Sequence, residues 1–178
     1  SGWSQTVIGG LAVQRWGEPR QTRDVDVTLM AGTGREATIV DGLLARFTAR
    51  TPHARQFALE HRVVLVESSA HMPIDIALGA LPFEERMIAR SSDFDFGTPA
   101  IVRTCAAEDL VVLKAVANRP QDWLDDEGVI VRQGPALLRQ QVLSELPETV
   151  PSVRGDPNVI RDQWSIGEFL GSFRWHLA

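Results

Sequence analysis

The chain has 178 residues, 44% of them hydrophobic and 23% charged, with 18 basic against 23 acidic residues and a net charge of −5. That length supports one full hydrophobic core, and the apolar content excludes a disordered chain. No window reaches the ~18 consecutive apolar residues of a membrane span, and the acidic balance argues against strong non-specific duplex binding.

A single cysteine, Cys105, excludes an internal disulfide and a zinc site built on several thiolates. It reads as a small buried residue and fits a reducing, cytoplasmic setting. Ser1-Gly2-Trp3-Ser4 has no basic or long apolar stretch, so no signal peptide and no membrane partner are expected.

Thr6-Val7-Ile8 is a short apolar run stopped by Gly9-Gly10, and Leu11, Ala12, Val13, Arg15 and Trp16 then suit a helix that Gly17-Glu18-Pro19 ends. Val25, Val27 and Leu29 alternate with Asp24, Asp26 and Thr28, the period-2 signature of a half-buried strand. Ala31-Gly32-Thr33-Gly34 is a loop, and Ile39, Leu43, Leu44 and Phe47 recur at helical spacing. Strands follow at Val63 to Val66 and Ile74 to Leu78, a short helix opens at Pro82, and Ala100-Ile101-Val102 is a further strand.

From Ala106 the character changes. Leu110, Leu113, Val116 and Ala117 mark an amphipathic helix ended by Asn118-Arg119-Pro120. A second starts near Asp122 and is broken by Gly134-Pro135, and Leu137, Leu138, Val142 and Leu146 mark a third. Residues 150–157 read as loop and 160–173 as helix around two glycines. The expected fold class is α/β (α+β): a small mixed-sheet core over residues 1–104, then a helical half over 105–178 that packs on it and closes one side of a cleft.

Three carboxylates stand out. Asp24 and Asp26, two apart, leave the same face of a strand, and like charges that close raise each other's pKa unless a cation joins them. A hard ion such as Mg²⁺ does this through oxygen ligands at ~2.0–2.1 Å. Asp75, between Ile74 and Ile76, is costly in an apolar strand without a partner. If the two strands are neighbours, all three carboxylates converge on one or two ions. The plainer reading has Asp24 capping a turn, Asp26 facing water and Asp75 taking up backbone donors.

Gly9-Gly10 between a strand and a helix lets backbone approach a ligand and presents free N–H groups, either as a phosphate cradle or simply as a tight turn. The six-residue dinucleotide glycine pattern fails after Gly10, and Ala31 to Arg35 lacks the Lys-Ser/Thr pair of a P-loop.

Ile8-Gly9-Gly10, the thirteen intervening residues, Asp24-Val25-Asp26-Val27 and later Ile74-Asp75-Ile76 together resemble the core motifs of the DNA polymerase β-type nucleotidyltransferase superfamily. Gly9-Gly10-Leu11-Ala12 with Arg20 to Asp26 is similar to AbiEii/AbiGii-type nucleotidyltransferase toxins, and also to bacterial lincosamide nucleotidyltransferases. Glu108-Asp109-Leu110 to Lys114, then Arg119-Pro120-Gln121-Asp122 and Asp125, looks like the second block of the toxin-type members. The likeness spans residues 7–134.

The resemblance implies that Gly9 and Gly10 hold a triphosphate, that Asp24 and Asp26 ligate Mg²⁺ (two ions in the two-metal scheme), and that Asp75 completes the metal site and helps deprotonate an acceptor hydroxyl. It implies that Lys114 contacts the triphosphate, while Asp122 and Asp125 line the same cleft or orient Lys114 and Arg119. Arg23 stands as a nucleotide contact or as a neutraliser of the acidic pair. Many superfamily members carry serine at the position of Gly10, though toxin-like and lincosamide-type members often have glycine. Relatives usually have a helix before the first strand, so residues upstream of Ser1 are expected.

Three functions are consistent with these residues. The first is a toxin-type enzyme moving a nucleoside monophosphate from an NTP to RNA or protein, held in check by an antitoxin. The second modifies a small-molecule hydroxyl, as in antibiotic inactivation, and the third is a degenerate nucleotide-binding regulatory module without catalysis. His53, His61, His71 and His176 show no metal-ligand spacing. Arg15, Arg20 and Arg23, like Arg50, Arg55 and Arg62, read as solvated faces. The tryptophans read as packing groups, with Trp3, Trp164 and Trp175 alternatively facing a partner or a missing segment.

Overall fold

The computed structural model describes residues 2–97 and 101–149. Ala100, the expected loop over 150–157, the helix over 160–173, and Trp164, Trp175 and His176 lie outside the described residues. Two compact units meet in sequence between Ala106 and Ala107, and residues 16–18 belong to the second.

In the first unit β1 (Gln5–Ile8) runs straight into α1 (Gly9–Trp16). β2 (Val25–Met30), α2 (Glu36–Leu44), the two-residue β3 (Thr48–Ala49), α3 (Ala54–His61), β4 (Val63–Glu67) and β5 (Pro73–Gly79) follow. α4 (Pro82–Arg90), β6 (Ser92–Asp95) and β7 (Ile101–Thr104) complete it. The strands form one seven-stranded sheet in the order β3-β4-β5-β2-β1-β7-β6. β2 is parallel to β5 and β1 to β7, and the other neighbours are antiparallel. This is the mixed α/β sheet expected.

The alternation in β2 sends Val27 and Leu29 to one face, where they join Ile76 and Leu78 of β5, Val64 and Val66 of β4, Ile39, Val40 and Leu43 of α2 and Ala58 of α3. The other face is not simply solvated. Thr28 is 2% exposed there, and α4 packs against β1 and β2 with Phe83 and Met87 buried. Ser91 Oγ, just past α4, donates to Thr6 Oγ1 at 2.7 Å, and Thr6 is the register partner of Thr28. β2 is therefore covered on both sides at Thr28 and Leu29, and its first residues are only partly buried. α4 itself is started by Glu84, whose Oε2 accepts the Ala80 and Leu81 N–H groups at 2.7 and 2.8 Å.

The second unit holds α5 (Ala107–Ala117), α6 (Pro120–Gln133), a 3-10 turn (Gly134–Ala136) and α7 (Arg139–Thr149). α5 packs against both α6 and α7. It is buried around most of its circumference, through Ala107, Asp109, Leu110, Val111, Val112, Lys114 and Ala115, rather than along the single stripe expected. A central helix flanked on two sides needs apolar residues nearly all round. Asn118, at φ 52°, ends α5 in the left-handed region that asparagine tolerates, and Gly134, at φ 51°, ends α6. Among the described residues no helix is long and apolar enough to cross a membrane.

Candidate functional site

At one end of the sheet the C-terminus of β1 and the starts of β2 and β5 lie side by side. The register pairs Ile8 with Asp26 and Asp26 with Asp75. In a parallel pair register partners leave the same face on strands about 4.8 Å apart, so the Asp26 and Asp75 carboxylates are neighbours. Their face is the one sealed at Thr28, but here both residues are only half-buried. Expecting Asp75 to be a charge enclosed in an apolar strand is corrected: its side chain is 34% exposed and Arg50 Nη1 donates to its Oδ1.

Gly9 follows Ile8 with φ +61°, the left-handed conformation that favours glycine. A Cβ there would stand 2.7 Å from Asp26 Cγ and overlap the carboxylate itself. The absence of a side chain is what lets Asp26 lie against the first turn of α1. Gly10 plays the same part for Thr22, whose Cβ lies 2.7 Å from where a Gly10 Cβ would be. Thr22 Oγ1 in turn donates to Asp24 O at 3.2 Å and Asp24 Oδ1 at 3.0 Å.

Asp24 therefore belongs to the bend before β2, not to the strand. The Thr22 hydroxyl bonds its carboxylate there, a local side-chain contact within the bend. Arg23 is exposed on that bend. Gly9, Gly10, Asp24, Asp26 and Asp75 are thus gathered at one sheet end. Among the described residues, however, no three His, Cys, Asp or Glu side chains are grouped so as to hold a metal ion. The donor set fits a narrower requirement. Mg²⁺ is often held by one or two carboxylates together with substrate phosphates and water, and Asp26 with Asp75 is such a pair.

Lys114 and Asp122 lie in the second unit. Lys114 is buried, with 6% of the residue exposed. Its Nζ donates to Asp122 Oδ1 at 2.8 Å and Asp125 Oδ2 at 2.7 Å. Arg119 adds a bond from Nε to Asp122 Oδ2 at 2.6 Å, and Asp122 also accepts the Arg119 N–H at 3.2 Å, capping α6. Both aspartates, expected to line a cleft or to orient Lys114 and Arg119, are thus bonded to Lys114, and Asp122 to Arg119 as well. Burial alone would raise the Asp122 carboxyl, but hydrogen bonds and charge from Arg119 and Lys114 outweigh it and hold the pKa below its ordinary value.

Asp126 completes this cluster and was not singled out from the sequence. It is fully buried, and neither carboxylate oxygen has a hydrogen-bond partner. Burial, together with the charges of Asp122 and Asp125 and against that of Lys114, pushes its pKa up to about 9. Its position one turn beyond Asp122 on α6 was the available signal.

No protein-family model matches the chain, and no curated protein sequence matches it. Among solved structures it is similar to an antigenic nucleotidyltransferase-like protein from Paracoccidioides brasiliensis, with a TM-score of 0.49 and 12% identity over 94% of this chain and 84% of that one. At that level the likeness carries no functional weight.

Arg50 is the residue at the sheet end that sequence reasoning passed over. With Arg55 and Arg62 it reads as a solvated basic face, yet the three have separate duties. Arg55 Nε pairs with Asp41 at 2.7 Å, and Arg62 bonds Glu36, Gly32 O and Leu78 O. Arg15 likewise ties Ser92 and Thr104 together and lies 5.0 Å over the Phe94 ring. Trp3 packs on the core with the Arg46 guanidinium 4.9 Å over its ring, and Cys105 is buried.

Proposed function

We propose that the first unit binds an NTP at the Gly9-Gly10 turn and, with Mg²⁺, transfers its nucleoside monophosphate to an acceptor hydroxyl. The observation that carries this reading is the register that sets Asp26 beside Asp75 and directly across from the Ile8-Gly9 turn. Three segments far apart in sequence meet there, and glycine is required at the turn for the carboxylate to approach. The first N–H groups of α1 suit phosphate oxygens, since they lack intrahelical acceptors and sit at the positive end of the helix. Asp26 and Asp75 would hold the ion, which when bound supplies charge neutralisation for the reacting phosphate. The carboxylates also fix where a hydroxyl can approach, and positioning with electrostatics provides most of the catalysis in phosphoryl chemistry.

The acceptor is proposed as RNA or protein, with an antitoxin as partner, on the resemblance of Gly9 to Ala12 and Arg20 to Asp26 to the toxin-type enzymes. A second reading, a nucleotide-binding module without transfer, is favoured by the Arg50 guanidinium on Asp75 and by the Thr22 hydroxyl already bonded to the Asp24 carboxylate. One experiment separates them. The protein is incubated with each α-labelled NTP and Mg²⁺ in the presence of total RNA, protein extract or a panel of lincosamides and other antibiotics. Label on RNA or protein, lost in Asp26→Asn and Asp75→Asn, supports the toxin-type enzyme, and label on a drug supports the small-molecule one. Nucleotide binding by equilibrium dialysis with no transfer to any acceptor would leave the non-catalytic module.

A further inference from the structure

We infer that Arg50 is a built-in counter-ion that competes with a divalent cation for Asp75, and so sets how tightly the Asp26–Asp75 pair takes metal. The inference rests on the proposed nucleotidyltransferase reading. Arg50 Nη1 is bonded to Asp75 Oδ1, and Asp75 is the register partner of Asp26. Two neighbouring carboxylates repel, and a guanidinium on one of them relieves that repulsion as a metal ion would. The same oxygen cannot serve both cations fully, and an ion placed between the carboxylates would stand close to the guanidinium charge. Metal and Arg50 therefore compete for the Asp75 carboxylate.

The attachment of Arg50 suits exchange. Its backbone is fixed, with the Arg50 N–H donating to Leu65 O at 3.0 Å, and Leu65 is the β4 register partner of Asp75. Its guanidinium is held by Asp75 among the described residues, with side chains 32% and 34% exposed. Arg62 offers the contrast: its guanidinium is tied to two carbonyls and a carboxylate. Moving Arg62 would strip several acceptors, whereas moving Arg50 breaks one half-exposed ion pair, an interaction of modest strength. A triphosphate entering with the metal would give the displaced guanidinium a new planar, anionic partner. Metal alone would then bind weakly and metal with nucleotide better.

The test uses Mn²⁺ alone as the probe, its binding to the whole chain followed by electron paramagnetic resonance or calorimetry. Arg50→Met is expected to bind Mn²⁺ at least ~10-fold more tightly than the wild type, since one positive charge has left the site. Arg50→Lys should return toward wild-type affinity, and adding Asp75→Asn to Arg50→Met should abolish the gain. A merely structural arginine would weaken metal binding when removed, not strengthen it. If the methionine variant does not fold, Arg50→Gln carries the same expectation, because it keeps a hydrogen bond without the charge. Unchanged or weaker Mn²⁺ binding in the folded Arg50 variants, with wild-type binding lost in Asp26→Asn, overturns the role of Arg50 and leaves the metal site standing. Absence of Mn²⁺ binding in the wild type and every variant overturns the metal reading itself.

Discussion

A methyl group on Gly9 meets two obstacles at once. The residue sits at φ +61°, where an L side chain is strained, and its Cβ would overlap the Asp26 carboxylate. The backbone strain costs about 1–3 kcal/mol, and the overlap forces Asp26 off the turn as well. Gly9→Ala is therefore expected to lose at least about 1 kcal/mol of unfolding free energy, measured by urea titration, and to lose NTP binding with it. Wild-type stability in that variant would mean that the turn relaxes freely and that Asp26 is not held against it. Asp26→Asn is the complementary change. It keeps the shape, removes one of two neighbouring like charges, and is expected to abolish divalent-dependent nucleotide binding while leaving thermal stability unchanged or slightly raised. Retention of full Mg²⁺-dependent binding would remove Asp26 from the site.

Between α5 and α6 a single lysine stands against three aspartates spaced along one face of α6. Lys114→Met would remove the buried cation that Asp122 and Asp125 share, leaving Asp122 on Arg119 and Asp125 without the lysine. Breaking a buried pair from one side costs about 3–5 kcal/mol, so a large drop in melting temperature is expected. Adding Asp125→Asn should recover part of the loss, because one stranded charge goes too; a double variant less stable than the single would contradict this account. Such a network is hard to see in a sequence. Lys114, Asp122 and Asp125 are visible as charged residues at helical spacing, but a charged face against solvent and one against a neighbouring helix have the same spacing. Elements with a strong period or a glycine or proline boundary were legible: β1 into α1, β2, β5, α4 and the breaks at Asn118 and Gly134. β3, β6 and α3 were not. β6 is Ser-Asp-Phe-Asp on the sheet edge with no apolar alternation, and α3 buries only Ala58, too little to print a helical stripe. Asp24 was placed in the strand because period 2 extends one residue too far, and only the Thr22 hydroxyl reveals the bend.

Across the whole molecule, the acidic cluster of the second unit imposes opposite pH dependences through two neighbouring aspartates. Asp122 is held below its ordinary value of 3.8, so the stability it contributes is present above that value and is lost as pH falls through its lowered pKa. Asp126 behaves the other way, because its pKa rises to about 9 from an ordinary 3.8. Below pH ~4 both the folded and the unfolded chain keep that proton, and the group contributes no slope. Between there and about 9 only the folded chain keeps it, so unfolding releases a proton and stability falls by up to ~1.4 kcal/mol per pH unit. Above about 9 both forms are ionised and the slope ends. Asp126→Asn replaces the neutral carboxyl by a neutral amide of nearly the same shape and removes this dependence. The variant is expected to match the wild type near pH 4 and to exceed it by a widening margin from pH 5 to 8, in melting temperature and in urea unfolding free energy. Parallel pH profiles for the two proteins would show that Asp126 is ionised in the fold, with its charge satisfied by Lys114.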